Sequence, residues 1–247
     1  MRTFCKMLKI EGMLSIRDMN MPIFAIAMPV VVQIILGIIY GDRAAFEGAQ
    51  YTFLEQSFGA LCSIAICAGG LMGLPIVISE YRERRILKRF QVTPVSPQML
   101  LFVQLCIYAL YATASVAVLW MIEICFWGFQ MRGSVLVFLG GWLLVLISIL
   151  SIGMLVGGVA RNSKSASVIA SALYFPMLIF SGATLPYEVM PRTMQKIVDI
   201  FPLTQGIKLL KTAVLGQPLE QSMFSILMIL AVAGICIGIS IRFFRWE

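Results

Sequence analysis

Six apolar runs, each bounded by charge or by a helix breaker, decide what this chain can fold into. They lie at roughly 22–40, 57–78, 99–122, 135–159, 166–180 and 222–241. A hydrocarbon core about 30 Å thick takes about 20 apolar residues to cross as a helix. Backbone amides inside lipid must be satisfied within the segment, which leaves the helix as the form these runs can adopt. Only 13% of residues are charged and the mean hydropathy is +0.93, whereas soluble domains average about a quarter charged. The expected fold is an all-α polytopic membrane protein with six transmembrane helices, a single domain over residues 1–247. The fifth run is short and ends at Gly182.

Charge sets the expected orientation. With both termini inside, thirteen of the nineteen Lys and Arg fall on the cytoplasmic side; Arg43, Arg132, Arg192, Lys196, Lys208 and Lys211 fall outside. The positive-inside rule therefore puts the N- and C-termini of a multi-pass protein in the cytoplasm; the expected location is a bacterial or archaeal cell membrane. The net charge of +7 then reads as a topology signal plus attraction to the anionic headgroups of the lipid bilayer, with no nucleic acid partner. Most of the cationic density sits in one place, EYRERRILKRFQVTPVSPQ at 80–98, which carries five Lys/Arg. It is helix-compatible to Gln91 and is stopped by Pro94 and Pro97. Such a segment suits the grip of a soluble partner. The first twenty residues do not read as a signal peptide, because Glu11 and Asp18 precede the first apolar run. Arg2, Lys6 and Lys9 instead cluster within about 60° at 100° per residue, opposite Phe4, Met7, Leu8 and Leu14, as in an interfacial amphipathic helix. Glu11 is out of place on that apolar face.

Several chemistries lack their residues. There is no histidine, so histidine acid–base catalysis, metal ligation and Ser-His or Cys-His pairs are excluded. No GxxxxGK[ST] loop occurs, so ATP cannot bind by that route. The six cysteines (Cys5, Cys62, Cys67, Cys106, Cys125, Cys236) show no metal spacing and read as small hydrophobes. No catalytic residue and no metal site are expected: the chain is not an enzyme and holds no cofactor. Paired intramembrane carboxylates are missing as well; Glu123, beside Phe126 and Trp127, reads as an interfacial glutamate.

The segment 181–217 between the last two runs is expected on the outside. Pro186, Pro191 and Pro202 punctuate it, and 191–200 and 203–215 carry apolar residues at helical spacing. Two short helices joined at Phe201-Pro202 would dip into the outer leaflet and return, which is tolerated where backbone is buried in protein or lines a cavity. Pro29, Pro75 and Pro176 sit inside spans and permit bends. Gly37/Gly41, Gly69/Gly73, Gly153/Gly157 and Gly234/Gly238 are GxxxG pairs, read as packing within the bundle. Gln33, Gln104, Tyr108, Tyr111, Thr113 and Tyr174 are the polar and amphipathic side chains available to a pathway.

Two of these segments carry a resemblance. EYRERRILKRFQVTPVSPQMLL (80–101) is similar to an "E-R-E…G-T-L…T-P-V-S" cytoplasmic pattern, and FSGATLPYEVMPRTMQKIVDIFPLTQGIKLLK (180–211) to an "F-S-G…P…M-P…P-L-T" external one. Together, over essentially the whole chain, they resemble the membrane (permease) subunit of type-2 ABC exporters, a family of drug, antibiotic-resistance and glycan or lipid exporters. The resemblance implies that Glu80, Arg82, Glu83, Arg84, Arg85 and Lys88 belong to a coupling helix that docks on an ABC ATPase subunit, with ATP bound on that partner. The family's Gly-Thr after the second acidic residue is here Arg85-Ile86. It further implies an external gate at Phe180, Ser181, Gly182, Pro186, Pro191 and Pro202, and a second permease copy or similar permease across the pathway. The expected function is the permease subunit of an ATP-driven exporter of an amphiphile; the alternative is an ion-coupled secondary transporter, for which Glu123 is the one candidate.

Overall fold

The computed structural model describes residues 2–17, 23–41, 43–45, 49, 51–86, 96–181, 187 and 190–243, and among these the regular elements are helices. Helix α1 (Arg2–Arg17) is followed by a short π-helical stretch (Ile23–Ala27) and α2 (Met28–Tyr40). Helix α3 (Phe53–Cys67), a second π stretch (Ala68–Gly73) and α4 (Leu74–Glu83) make one continuous rod. Then come α5 (Pro97–Trp127), α6 (Val135–Val159), α7 (Ser163–Phe180), the short α8 (Arg192–Val198), α9 (Pro202–Leu215) and α10 (Met223–Phe243). Six of these stretches are long and apolar enough to cross a membrane: Ile23–Tyr40, Phe53–Glu83, Gln98–Trp127, Val135–Val159, Ser163–Phe180 and Leu219–Arg242.

Local chemistry explains the boundaries. Thr52 caps α3 through a capping box with Glu55, whose backbone N donates to Thr52 Oγ1 at 3.1 Å while Thr52 N donates to Glu55 Oε2 at 3.0 Å, satisfying two otherwise orphaned donors. Ser96 caps α5 ahead of Pro97, and Gly128 ends it in the left-handed region at φ 61°, where a Cβ would be strained. Asn162 caps α7. Both π stretches stand directly before a proline-bearing turn, at Pro29 and Pro75. A proline ring clashes with the carbonyl four residues back, here Ala25 and Leu71, and a widened π turn gives that carbonyl room.

The second span is the central mast. Its apolar window is 83% buried, against 22% for the first span and 17% for the fifth. Helices α5, α6 and α9 pack around it. Phe58 lies 4.9 Å from Phe129 and 5.6 Å from Phe138 between ring centroids, with Trp120 at 5.9 Å, a cluster worth about 0.5–1.5 kcal/mol per pair beyond its buried area. On the other half of the mast, α6 crosses the π stretch at Gly153, where a Cβ would lie 1.9 Å from Gly70 O. Gly37 is met in the same way by the Trp127 ring. These GxxxG members do pack within the bundle, whereas a Cβ at Gly234 or Gly238 meets nothing within 4 Å.

Helix α9 is almost wholly buried against α3, α6 and α10. Arg132 N and Gly133 N both donate to Val214 O at 3.1 Å, so the α5–α6 connection is fastened to the end of α9. The two short helices expected after the fifth span are therefore present, joined at 199–201.

Candidate functional site

The chemistry of this chain gathers at the basic end of the bundle, where α4 leaves the apolar zone. Sequence reading ended the second run near Ile78, but the helix continues for five residues into the charged segment, to Glu83. Consecutive residues there bond different helices. The Tyr81 hydroxyl donates to Glu11 Oε2 of α1 at 2.5 Å, and Gln104 Nε2 of α5 bonds both Glu11 Oε2 (3.0 Å) and the Tyr81 oxygen (2.8 Å). Arg82 is buried and donates through Nη1 to Gly158 O at the end of α6, 2.5 Å away. Glu83 Oε2 accepts from Ser163 N at 3.0 Å and Ser163 Oγ at 2.7 Å, at the first turn of α7. A carboxylate at a helix N-terminus satisfies orphaned amides and faces the positive end of the dipole.

Beyond these the helix stops. Arg84 Nη2 pairs with Glu80 Oε1 at 2.7 Å on the exposed side, with Arg84 70% accessible. Arg85 ends the element at φ 55°, a left-handed conformation that costs a non-glycine residue roughly 1–2 kcal/mol. Its place in the segment is that of the pattern's glycine. Lys88 lies outside the described residues.

Of the charges expected to meet a soluble partner, Glu80, Arg84 and Arg85 are thus presented outward or half-outward. Arg82 departs from that expectation. Its guanidinium is spent inside the chain, because α4 carries it back over the end of α6. Glu83 is exposed but committed to α7.

Helix α1 explains the misplaced Glu11. Phe4 packs on Phe102 of α5 with centroids 5.9 Å apart, and Tyr111 of α5 donates to Ser15 Oγ at 3.0 Å. Phe4, Glu11 and Ser15 lie within about 40° of one another on the helical wheel, so the face that sequence reading took as apolar is a mixed face clasping α5 and α4. Lys6 and Lys9 point away from it and are exposed, as are Ile10, Met13 and Leu14. Sequence reading missed the partners Tyr81 and Gln104; Glu11 itself, a lone carboxylate on an apolar face, was the signal.

At the opposite end, Phe180 closes α7 and Ser181 caps it, buried, with its hydroxyl donating to Leu178 O at 3.3 Å. Pro191 precedes α8 and is exposed; Pro202 opens α9 and is buried. Gly182 and Pro186 lie outside the described residues. The fastening of this segment runs instead through Asp199: Lys208 Nζ pairs with its Oδ1 at 2.6 Å, Tyr187 donates to its Oδ2 at 3.0 Å, and the Lys208 ammonium sits 3.8 Å from the Tyr187 ring centroid. Gln205 extends the link, donating to Asp199 O and accepting from Ser225 Oγ of α10, both at 2.7 Å.

The polar side chains available to a pathway are mostly used within the chain. Gln33 is fully buried and donates to Leu119 O at 2.9 Å, Tyr108 is 2% exposed in the core, and Thr113 bonds its own helix at Ala109 O. Glu123 is fully buried rather than set at a protein surface, with Gln33 as its polar neighbour, and neither carboxylate oxygen makes a hydrogen bond of full geometry. Among the described residues no three Cys, Asp or Glu come together as a metal-binding group.

A six-span bundle whose second span ends in a charged segment, with two short helices before the sixth, is matched over residues 2–215 by the family model for ABC-2 type transporters. The chain belongs to that family. Among curated relatives, it is 23% identical over 184 residues to the "Probable multidrug ABC transporter permease YbhS" of Escherichia coli K12, covering 74% of this chain and 48% of that protein. It is 28% identical over 119 residues to the "Inner membrane transport permease YhhJ" of the same strain, 48% of this chain and 32% of that one. It is 30% identical over 93 residues to "Nodulation protein J" of Rhizobium leguminosarum bv. viciae, with shares of 38% and 34%. The chain spans about half the length, or less, of these relatives.

Proposed function

We propose that this ABC-2 permease is the transmembrane half of an ATP-driven exporter, with nucleotide bound and hydrolysed on a separate ABC ATPase that docks on the segment following α4. The observation carrying this reading is the convergence at 81–83. Three consecutive residues bond α1 with α5, α6 and α7, immediately before the exposed Arg84. A push applied beyond Arg84 is thereby delivered to four helices at once. Opposite charges on the partner would fix its register, and nucleotide would shift the equilibrium through its different affinities for the two states.

The fifth span supports a second permease across the pathway. It is the least buried span and the least apolar, with a mean hydropathy of 1.3 against 2.0–2.7 for the others. A helix so poor in apolar residues is better covered by protein or lined by water than set against lipid. We assign the basic end to the cytoplasm of a cell membrane and the α8–α9 segment to a re-entrant outer gate around Phe180, Ser181, Pro191 and Pro202. The cargo is an amphiphile, a drug, antibiotic, lipid or glycan conjugate; the printed names of the relatives, a multidrug permease among them, support that range.

The test is charge reversal at Arg84 and Arg85 in the full-length protein. The double Glu variant inserts and melts as wild type does, yet loses both co-purification of a P-loop partner and transport. Normal transport by that variant would refute the docking site. The buried Glu123, a carboxylate in no ion pair among the described residues, is the observation that favours ion-coupled transport instead. That reading requires activity to collapse in Glu123→Gln and under ionophores, and it has no need of a nucleotide-binding partner.

A further inference from the structure

A groove of about 460 Å³ runs between α5, α6 and α10 in the half of the bundle nearer the basic end. Its walls are Phe102 and Ala109 on α5, Leu143 and Met154 on α6, and Ile237 and Ile241 on α10. A shallower extension shares Phe102, Met154 and Ile241 and reaches Gln98 and Ser240 at the polar end. None of the exporter machinery described above uses it.

The dimensions select an occupant. From Leu143 to Met154 is eleven residues of helix, or about 16 Å at 1.5 Å per residue; from Gln98 to Ala109 on α5 is the same. One leaflet of a ~30 Å hydrocarbon core is about 15 Å deep. The slot therefore has the length of a single acyl chain reaching from the headgroup level to the bilayer midplane. Its volume lies within the range of ~300–1,000 Å³ typical of small-molecule sites, and its lining is apolar until the polar end. There the chemistry changes: Gln98 and Ser240 stand at the mouth, Arg242 follows Ile241 on α10, and Arg161 lies two residues past the end of α6, both arginines exposed. Phe4 of α1 packs on Phe102 of that wall, with the two rings tilted at 41°.

We propose that this groove is a binding site for an anionic phospholipid of the leaflet at the basic end, with one acyl chain along α5, α6 and α10 and the phosphate held by Arg161 and Arg242. A second copy of the chain fits the same face poorly. A two-fold interface sets each patch against itself, which would bring each of these arginines toward its own counterpart. An anionic headgroup supplies the missing charge, at about 1 kcal/mol for each basic side chain near the surface, or roughly fivefold in affinity per arginine. The proposal needs the chain to be in a membrane and does not depend on ATP driving.

Cys106 lines the groove and is half-buried, so it reports occupancy. Exposed Cys5 and Cys125 are removed by C5S/C125S, and the purified protein is treated with a membrane-permeant maleimide in detergent alone, with added phosphatidylcholine, and with added phosphatidylglycerol. Phosphatidylglycerol is expected to protect Cys106 at concentrations at least fivefold lower than phosphatidylcholine, and Arg161→Gln with Arg242→Gln to erase that difference without lowering the melting temperature. A groove-filling Ala109→Trp variant that still migrates as a folded species is expected to lose lipid retention in native mass spectrometry. Equal protection by the two lipids would overturn the headgroup assignment. Undiminished retention in Ala109→Trp would overturn the site, and a Cys106-to-Cys106 cross-link between copies would put a second permease there instead.

Discussion

Replacing Glu11 by alanine should release α1 from the bundle. Its Oε2 accepts two hydrogen bonds, from Tyr81 at 2.5 Å and Gln104 at 3.0 Å. Hydrogen bonds to a charged acceptor contribute about 1.5–3 kcal/mol each. Tyr81 and Gln104 remain bonded to one another at 2.8 Å, which recovers part of the loss, so a net cost of about 2–4 kcal/mol is expected. At 1.4 kcal/mol per factor of ten, this moves the docked-to-free ratio of α1 by roughly 30- to 1,000-fold. Glu11→Gln keeps an acceptor of the same reach without the charge and should cost about 1 kcal/mol, near fivefold. The assay is amide hydrogen exchange in lipid nanodiscs: protection across α1 should fall by those factors, while α6 and α9 exchange as in wild type. If α1 keeps its protection in Glu11→Ala, it is held by the membrane surface and the clasp is incidental.

Three further outcomes follow from the geometry. Arg85→Gly should raise stability by about 1 kcal/mol, read as a higher melting temperature, because glycine adopts φ 55° without the Cβ penalty; no gain would mean that Arg85 makes a compensating contact. Gly153→Ala puts a methyl 1.9 Å from Gly70 O and should abolish the folded peak in size-exclusion chromatography, whereas Gly234→Ala, with open space around it, should be silent. Glu123→Gln should retain nucleotide-dependent transport and melt no lower than wild type, since the new amide can donate to the unsatisfied Gln33 Oε1; loss of transport with an unchanged melt would instead support ion coupling.

The spans were legible because lipid imposes a length and an apolar composition that no packing detail overrides. The fourth run even matches α6 residue for residue. What hydropathy marks, however, is the edge of the apolar zone and not the end of a helix. The second run therefore looked finished near Ile78 although α4 goes on to Glu83, and the capping box at Thr52 and Glu55, visible in the sequence, extends α3 at the other end. The placement of Arg82 was hidden for the same reason: a charge in a charged segment looks solvated, and only the crossing of α4 over α6 reveals the Gly158 carbonyl that it meets. Long-range partners such as Glu11 with Gln104, or Asp199 with Lys208 and Tyr187, leave no periodic trace. The residue that broke its local pattern, Glu11, was the place where such a partner could have been suspected.

Consecutive residues of an α-helix project about 100° apart, so Tyr81, Arg82 and Glu83 point in three directions that together ring the end of α4. A rod keyed on three sides behaves like a splined shaft. It cannot turn about its own axis without shearing the bonds to α1, α6 and α7 together, but it can be tipped with all of them attached. Torque applied beyond Arg84 would be resisted, and sideways displacement would be carried whole into the bundle.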